Sequence, residues 1–352
     1  MVLAKKSLCE IYAETEHEEI VLWADPTCDY RGIIAIHSTV LGPAVGGTRY
    51  SSYSSDEAAS QDALRLSRAM SYKNALAGLP FGGGKAIIID GNRPPNREKI
   101  FRAHGRFIES LGGRFITGED LGTRPSDMEY VRMETRHVAG LPDKSGDPSL
   151  MTARGVFRGL QALATHVWGS ADWYDRTVAI QGCGSTGYNL AKELHEAGAK
   201  LLVSDLDTER LRRVVDECGA TAVAPDEIVA APADIFAPCA LGGIINDFTI
   251  PRLKVGMIAG SANNQLLESR HGEVLHEIGI LYAPDYVINA GGVINGCREL
   301  LGWQQTDAMR RVDGIYETML SILESAQSRG IPPFRVADEL AEMRLNGRGL
   351  NV

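Results

Sequence analysis

Three charged residues in the first part of the chain have the types and settings needed for proton transfer and carboxylate binding. Lys73 lies near the end of a long amphipathic segment, and Lys85 directly follows three glycines. Asp120 follows Gly118-Glu119 after a short apolar stretch. A lysine whose pKa is brought near neutrality by a neighbouring cation is a competent general base. The spacing alone also fits three surface charges, the usual situation of lysine and aspartate.

A glycine motif in the second half of the chain is typical of nucleotide binding. Gly182, Gly184 and Gly187 form Gly-x-Gly-x-x-Gly between an apolar stretch and a helical one. These glycines would permit, in order, a tight turn, close approach to a pyrophosphate, and close packing of helix on strand. The helix start at Ser185 and Thr186 would offer unpaired N–H groups to the phosphates. A strand-to-helix turn without a ligand is the alternative interpretation.

An aspartate at the end of the next apolar stretch indicates which dinucleotide would bind. Asp205 is placed to accept hydrogen bonds from the adenosine ribose hydroxyls, and its charge would repel a 2′-phosphate. The sequence therefore predicts NAD rather than NADP. Asp207 is a second candidate for the same role.

Hydrophobic periodicity and breaker residues predict the elements that position these side chains. In the first region, strands are predicted at 32–37 and 85–89, and helices at 58–70 and 97–111. Ser54-x-x-Glu57 is interpreted as the capping box of the first helix. Further along, a helix is predicted at 152–168, strands at 177–180, 201–205, 233–237 and 257–260, and helices over 306–344. Alternating strands and helices favour a parallel sheet covered on both faces.

Composition excludes several classes of protein. The chain has 352 residues, 44% of them hydrophobic and 23% charged, which is enough for two globular domains. A net charge of −9 argues against a nucleic-acid or anionic-membrane partner. Neither a membrane-spanning run nor, within residues 1–10, a signal peptide is predicted. The six cysteines include no Cys-x-x-Cys pair, so no metal site is predicted and a cytoplasmic location fits.

Seven ordered motifs place these residues in a wider pattern. They are LGPAVGGTR at 41–49, YKNA at 72–75, GGGKA at 82–86, EDLGT at 119–123, APCALG at 237–242, SANNQ at 261–265 and PDYVINAGG at 284–292. With them the chain resembles the leucine/phenylalanine/valine dehydrogenases, the amino-acid dehydrogenase branch that also contains glutamate dehydrogenases. The resemblance extends from about residue 30 to residue 345. It sets aside the interpretation of the lysines and aspartate as surface charges.

The resemblance implies a two-domain α/β protein with an active-site cleft between the domains. We expect a substrate-binding and oligomerisation domain over 1–140 and a Rossmann-type NAD-binding domain over 141–322, with a hinge at 142–148. Helices over 323–352 are expected to return to the first domain. A homo-oligomer is expected.

The resemblance also implies roles for the three charged residues. The lysine matching Lys73 pairs with the substrate α-carboxylate, and the lysine matching Lys85 activates water. The aspartate matching Asp120 shuttles protons to and from nitrogen. The reaction implied is NAD-dependent oxidation of an L-amino acid to a 2-oxo acid and ammonia.

Further positions are expected near the two ligands. Those expected near the substrate are Val45, Gly46, Gly47, Met70, Gly118, Asn289, Val293 and Gly296. Those expected near the cofactor, besides the glycine loop and Asp205, are Thr152, Cys239, Ala240, Asn263 and Asn264.

Three positions bear on the substrate side chain. Val45 stands where glutamate dehydrogenases have a lysine that meets the γ-carboxylate, which disfavours glutamate. Gly118 replaces an alanine, and Gly296 a bulkier residue, of typical leucine dehydrogenases. Loss of volume would admit a bulky aromatic or large aliphatic side chain, whereas a pocket refilled by neighbours would keep leucine or valine.

Two other classes remain as alternatives. One is a catalytically silent NAD-binding protein, which the presence of Lys73, Lys85 and Asp120 together argues against. The other is a 2-hydroxy-acid dehydrogenase, which needs a histidine paired with a carboxylate. His37, His104 and His137 show no such setting in the sequence and are interpreted as structural or surface residues.

Overall fold

The computed structural model describes residues 10, 12, 15–91, 96–141 and 144–347. Most of the N-terminal stretch 1–10, including Cys9, and the first two residues of the predicted hinge lie outside this part of the chain. The described residues form two compact units, one of residues up to 147 with 296–302 and 341–347, the other of residues 148–295 and 303–340. No helix in the described ranges is long and apolar enough to cross a membrane.

The first unit is built on a mixed six-stranded sheet. Its strands are β1 (Glu19–Asp25), β2 (Tyr30–Ser38), β3 (Ala44–Val45), β4 (Thr48–Ser51), β5 (Gly82–Ile89) and β6 (Phe115–Ile116). They run in the order β1-β2-β5-β3-β6, and β4 also pairs with β5. The β1–β2 and β2–β5 pairs are antiparallel, whereas β3 and β4 are parallel to β5. β5 is therefore the central strand, which places Lys85 in the middle of the sheet.

Helices cover both faces of this sheet, which explains the continuous apolar runs of β2 and β5. The helices are α1 (Asp56–Leu76), α2 (Arg97–Ser110) and α3 (Pro125–Arg132). Ile33 and Ile87 pack with α1 on one face, while Ile34 and Ile88 pack with α2 on the other. Strands buried on both faces lose the polar alternation of a half-exposed sheet.

The start of α1 differs from the predicted capping box. Ser55, not Ser54, is the N-cap residue, and its side chain accepts a hydrogen bond from the amide of Ala58 at 3.2 Å. The helix extends to Leu76, beyond the predicted end at Met70. The last turn was missed because polar residues follow Met70, although several of them are buried.

The second unit contains the predicted parallel sheet. Its strands are β7 (Thr177–Gln181), β8 (Lys200–Ser204), β9 (Thr221–Ala222), β10 (Ile235–Pro238), β11 (Met257–Ile258) and β12 (Leu281–Tyr282). They are ordered β12-β11-β10-β7-β8-β9 and are all parallel. The order reverses between β7 and β10, which is the switch point where doubly wound sheets bind ligands. The predicted two-domain α/β fold with a Rossmann-type sheet is confirmed.

The helices after residue 148 are α4 (Ser149–Trp168), α5 (Ser185–Glu196), α6 (Thr208–Cys218), α7 (Arg270–Glu277), α8 (Asp285–Ile288), α9 (Gly291–Leu301), α10 (Gln305–Asp313), α11 (Ile315–Arg329) and α12 (Pro333–Leu345). Residues 303–340, which include α10 and α11, belong to the second unit. Of the C-terminal residues that were expected in the first domain, only those after 340 belong to the first unit. The observed division therefore differs from the predicted boundaries at 140 and 322.

Candidate active site

The glycines before Lys85 allow helix α1 to lie directly on strand β5. A Cβ atom on Gly83 would overlap the backbone of Ser71 in α1. The Asn74 side-chain amide, one turn further along, donates to the Gly82 carbonyl at 2.6 Å. Lys73 and Lys85 each lie two residues from this contact. The contact therefore places the helix segment that carries Lys73 beside the strand segment that carries Lys85.

A second close passage occurs at Gly46 and Gly47, between β3 and β4. A Cβ atom on Gly46 would overlap the carbonyl oxygen of Gly84 and lie 3.4 Å from Met70 Cγ. A Cβ atom on Gly47 would lie 2.9 Å from Asp120 Cβ. Only glycines let the backbone pass here. The passage places Gly46 beside the residue that precedes Lys85, and Gly47 beside Asp120.

Lys85 and Asp120 form a buried ion pair. Lys85 Nζ lies 2.9 Å from Asp120 Oδ2, and the side chains are 6% and 19% exposed. Arg49 Nε donates to the same oxygen at 3.0 Å. Burial would raise the pKa of the Asp120 carboxyl, but the charges and hydrogen bonds of Lys85 and Arg49 lower it to about 2. Asp120 is therefore a carboxylate held between two cationic side chains.

Arg49 was not singled out by sequence reasoning as a site residue. Its second contact is Asp62 on α1, with Arg49 Nη1 2.9 Å from Asp62 Oδ2. Tyr53 and Arg65 donate to the same carboxylate at 2.8 and 2.9 Å. The one feature of the sequence that pointed to Arg49 was its position at the end of the motif LGPAVGGTR at 41–49.

The remaining residues expected near the substrate occupy different settings. Lys73 and Met70 are partly buried on α1, and Val45 is buried in β3. Val293 lies partly buried on α9. Position 45 carries a buried valine rather than a cation, in keeping with the sequence argument against an acidic substrate side chain.

Gly118 and Gly296 differ in the space around them. A Cβ atom on Gly118 would lie 3.2 Å from the carbonyl oxygen of Ala139. A Cβ atom on Gly296 would meet no described atom within 4 Å. A methyl group at 118 would therefore press on the backbone, which differs from the expectation that it would project into a pocket. A side chain at 296 would enter open space.

Two of the three histidines considered in the sequence are buried and hydrogen-bonded within the first unit. His104 lies between the Tyr30 hydroxyl, 2.7 Å from Nδ1, and the Thr48 hydroxyl, 2.7 Å from Nε2. Burial lowers the pKa of His104 to about 3. His37 Nδ1 lies 2.8 Å from the Ser71 hydroxyl, and burial lowers its pKa to about 4. Neither ring pairs with a described carboxylate, so both are structural. The third, His137, differs from expectation, since its Nε2 atom lies 3.8 Å from Glu109 Oε2.

The glycine motif of the second unit forms the turn between β7 and α5. Gly182 has φ of 100°, and a Cβ atom there would lie 2.9 Å from the Ala240 amide nitrogen. A Cβ atom on Gly187 would overlap the Gly182 carbonyl, whereas one on Gly184 would meet no described atom within 4 Å. Gly184 caps α5, and Ser185 and Thr186 follow in its first turn. Of these three glycines, Gly184 is the one with open space around it, and it lies where a phosphate would approach.

Asp205 and Asp207 have separate roles. Asp205 accepts hydrogen bonds from the amides of Cys183, at 2.6 Å, and Asp207, at 2.8 Å. Asp207 is the N-cap residue of α6 and accepts from the amides of Glu209 and Arg210. Its carboxylate is committed to the helix. Asp205 lies against the glycine turn, which favours it over Asp207 for the ribose.

The loops after β10 and β11 lie beside this turn. Cys239 donates its amide hydrogen to the Gln181 carbonyl at 2.7 Å, so Cys239 and Ala240 lie at the switch point. Asn289 Nδ2 donates to Asn263 Oδ1 at 2.9 Å. Asn264 adopts a left-handed backbone, with φ of 52°.

Thr152 on α4 is positioned by the start of α9. A Cβ atom on Gly292 would lie 2.8 Å from Thr152 Oγ1. The structure thus groups the expected cofactor residues within the second unit, as it groups Lys85, Asp120 and their neighbours within the first.

Comparison with known proteins identifies the family. Residues 18–137 match the family described as Glu/Leu/Phe/Val dehydrogenase, dimerisation domain, and residues 145–337 match Glutamate/Leucine/Phenylalanine/Valine dehydrogenase. The chain belongs to the Glu/Leu/Phe/Val dehydrogenase family. Members of this family are amino-acid dehydrogenases that use NAD, as the sequence predicted.

Relatives of this dehydrogenase match over almost their whole length. The chain is 51% identical to a leucine dehydrogenase of Geobacillus stearothermophilus, over 95% of this chain and 92% of the relative. It is 43% identical to a phenylalanine dehydrogenase of Caldalkalibacillus thermarum, over 95% and 92%. The crystal structure of L-tryptophan dehydrogenase from Nostoc punctiforme superposes with a TM-score of 0.84, at 45% identity, covering 97% of this chain and 99% of that one.

Two features of the second unit of this dehydrogenase fit the binding of NAD. The first turn of α5 has no side-chain cap within the described ranges, so its amides remain available for a pyrophosphate. Asn289 is buried, and its Oδ1 atom has no hydrogen-bond partner among the described residues. An orphaned acceptor needs a donor, which a carboxamide group supplies.

Proposed function

We propose that this dehydrogenase catalyses the reversible NAD-dependent oxidative deamination of an L-amino acid with an uncharged, hydrophobic side chain. The products are the 2-oxo acid, ammonia and NADH. The observation that carries the proposal is the buried Lys85–Asp120 ion pair beside the Gly46-Gly47 passage. Family membership supports the same reaction.

The residues of the first unit supply binding and proton transfer. Lys73, as a cation, pairs with the α-carboxylate of the substrate. Lys85, once it has lost its proton, takes a proton from the water that adds to the oxidised α-carbon. Asp120 exchanges protons with the substrate nitrogen and is returned to the ionised state by the two neighbouring cations. NAD, when bound, accepts the hydride from the α-carbon.

The residues of the second unit hold the cofactor. The amides at Gly184, Ser185 and Thr186 bind the pyrophosphate, and Asp205 binds the adenosine ribose. Asn289 orients the nicotinamide end through its unpaired oxygen. The same side chain is anchored to Asn263, so its direction is fixed before the ligand arrives.

The substrate side chain is hydrophobic because its surroundings carry no matching charge. Val45 offers an apolar surface where a γ-carboxylate would need a cation. Burial of an unpaired carboxylate is strongly unfavourable, so glutamate is disfavoured. The open space at Gly296 supports a bulky side chain, either aromatic or large aliphatic.

Leucine or valine is the second candidate class of substrate. Two observations favour it. The Cβ direction of Gly118 points toward Ala139 rather than into open space, so this glycine adds less room than its size suggests. The leucine dehydrogenase relative is also more similar to this chain than the phenylalanine dehydrogenase relative, at 51% against 43% identity.

The test is NADH formation with a panel of L-amino acids at alkaline pH, with ammonia release measured in parallel. The panel contains leucine, valine, phenylalanine, tryptophan and glutamate, together with L-lactate as a 2-hydroxy acid. We expect turnover of hydrophobic amino acids with one ammonia per NADH. NAD binding without turnover of any of them would contradict the proposal and favour a silent binding protein.

A pair of variants distinguishes the two substrate classes. Gly296→Val fills the open space and is expected to lower kcat/KM for phenylalanine relative to leucine by about 10–200-fold. Gly118→Ala, which presses on Ala139 instead, is expected to change the ratio less. If Gly296→Val left the phenylalanine/leucine ratio of kcat/KM unchanged, position 296 would not be part of the substrate pocket.

We also expect a homo-oligomer, since residues 18–137 match a dimerisation domain.

A further inference from the structure

Asp120 shares one oxygen atom between two cations. Lys85 Nζ lies 2.9 Å and Arg49 Nε 3.0 Å from Oδ2. The Arg49 and Asp120 side chains are 17% and 19% exposed, so solvent screens the pair only weakly. The carboxylate therefore depends on two partners of different chemistry.

Arg49 is itself held in place from helix α1. Its Nη1 lies 2.9 Å from Asp62 Oδ2, and the Tyr53 hydroxyl donates to that same oxygen at 2.8 Å. Arg65 donates to the other oxygen of Asp62 at 2.9 Å. The guanidinium is thus fixed between an anchor on α1 and the carboxylate of Asp120.

We propose that Arg49 is a positioning residue for the deamination reaction: it keeps Asp120 ionised and oriented while Lys85 cycles between its protonated and neutral forms. The inference rests on the proposed function. An arginine cannot lose its proton in a protein, whereas a lysine can. When Lys85 is neutral, Arg49 leaves the buried carboxylate with a permanent cation. Without Arg49, the release of the lysine proton would leave an uncompensated buried charge.

The charges around Asp120 set the direction of the expected pH effect. Lys85 faces it from β5 and Arg49 from β4, while Asp62 and Tyr53 lie one contact further away behind Arg49. Removing Arg49 leaves one cation on the carboxylate, Lys85, within the described part of the chain. The coupled pair then holds its proton more firmly, so the acidic limb of activity moves to higher pH.

The experiment compares the pH dependence of kcat/KM for wild type, Arg49→Met and Arg49→Lys. Because kcat/KM reports on the free enzyme, its acidic limb follows the unliganded pair. We expect Arg49→Met to move this limb upward by about one pH unit and to lower kcat/KM on that limb about tenfold. Arg49→Lys, which keeps the charge, should restore most of the shift. Arg49→Gln replaces Arg49→Met if the latter does not fold.

Arg65→Gln is the matched control, because it removes an arginine from Asp62 without touching Asp120. Arg65→Gln should leave the pH profile unchanged. A general loss of structure around Asp62 would instead alter the profile in this variant as well. A neutral variant with the wild-type limb, or an Arg49→Lys limb displaced as far as that of Arg49→Met, would overturn the inference. Absence of turnover in the wild type would instead count against the proposed function.

Discussion

Lys85 and Asp120 lie 2.9 Å apart at the centre of the first unit, on a strand and on a loop that are separated by more than thirty residues in sequence. The pair is hardly exposed, and its aspartate is ionised because Lys85 and Arg49 hold the pKa of the carboxyl at about 2. The charge of Lys85 therefore helps to keep Asp120 ionised.

Asp120→Asn should abolish most turnover while leaving NAD binding intact. The amide cannot exchange protons with the substrate nitrogen, and it leaves Lys85 without its anionic partner. We expect kcat to fall by about 10²–10⁴-fold. Steady-state kinetics and NADH fluorescence titration measure the two effects. Asp175→Asn removes an exposed ion pair with Lys200 and should be silent. More than a tenth of wild-type kcat in Asp120→Asn would contradict the assigned role.

Gly184→Ala and Gly187→Ala should separate ligand binding from folding. A methyl group on Gly184 meets no described atom, so the melting temperature of the free protein should not change, whereas NADH should bind at least about tenfold more weakly. A methyl group on Gly187 overlaps the Gly182 carbonyl and should destabilise the protein by about 1–3 kcal/mol. Thermal unfolding and NADH titration provide both readouts. Wild-type NADH affinity in Gly184→Ala would show that no phosphate approaches that turn.

Asp205→Asn should raise the NADP/NAD preference about tenfold, because it removes the charge that repels a 2′-phosphate while keeping a hydrogen-bonding oxygen. Asp207→Ala should leave that preference unchanged and reduce the unfolding free energy by about 1 kcal/mol through the lost cap of α6. The ratio of kcat/KM values for the two cofactors, with chemical denaturation of each variant, tests both statements. The opposite pattern would assign the ribose to Asp207.

The free energy of unfolding should decrease as the pH is lowered, over a pH range set by the pKa of His104 in the folded and unfolded chain. Burial lowers the pKa of its ring from 6.5 to about 3, so the unfolded chain binds a proton that the folded chain does not. The stabilisation is fully present above pH 6.5 and is lost as pH falls from 6.5 toward 3, at up to about 1.4 kcal/mol per pH unit. Denaturation curves at successive pH values measure the slope. His104→Gln, compared with wild type at pH 8 and below, should flatten it; an unchanged slope would exclude His104 as its source.

Periodicity identified most of the elements that are long and regular, although β1, with seven residues, was not predicted. The runs of β2 and β5, the helix after the glycine motif and four parallel strands were predicted from apolar patterns and breakers. β3 and β4 were missed because they have only two and four residues, too few to show a period. The glycine motif was informative because a strand, a turn and a helix each impose a separate requirement on it.

Contacts between distant segments could not be predicted from spacing. Arg49 lies 71 residues from Asp120, and its place in the site depends on β4 pairing with β5. Lys85 was expected beside a cation. It contacts the Asp120 carboxylate instead, and the cation, Arg49, contacts that same carboxylate. The space around Gly118 and Gly296 depends on backbone direction, which residue type does not reveal.

The close backbone passages at Gly46 and Gly83 also determine where this enzyme can change. Any side chain at these positions would collide with main-chain atoms of Gly84 or Ser71, which cannot move without displacing a central strand or a long helix. Position 296 carries no such restriction. A randomised library at 296 should therefore yield mostly folded proteins with altered substrate preference, while libraries at 46 or 83 should be almost entirely lost to misfolding.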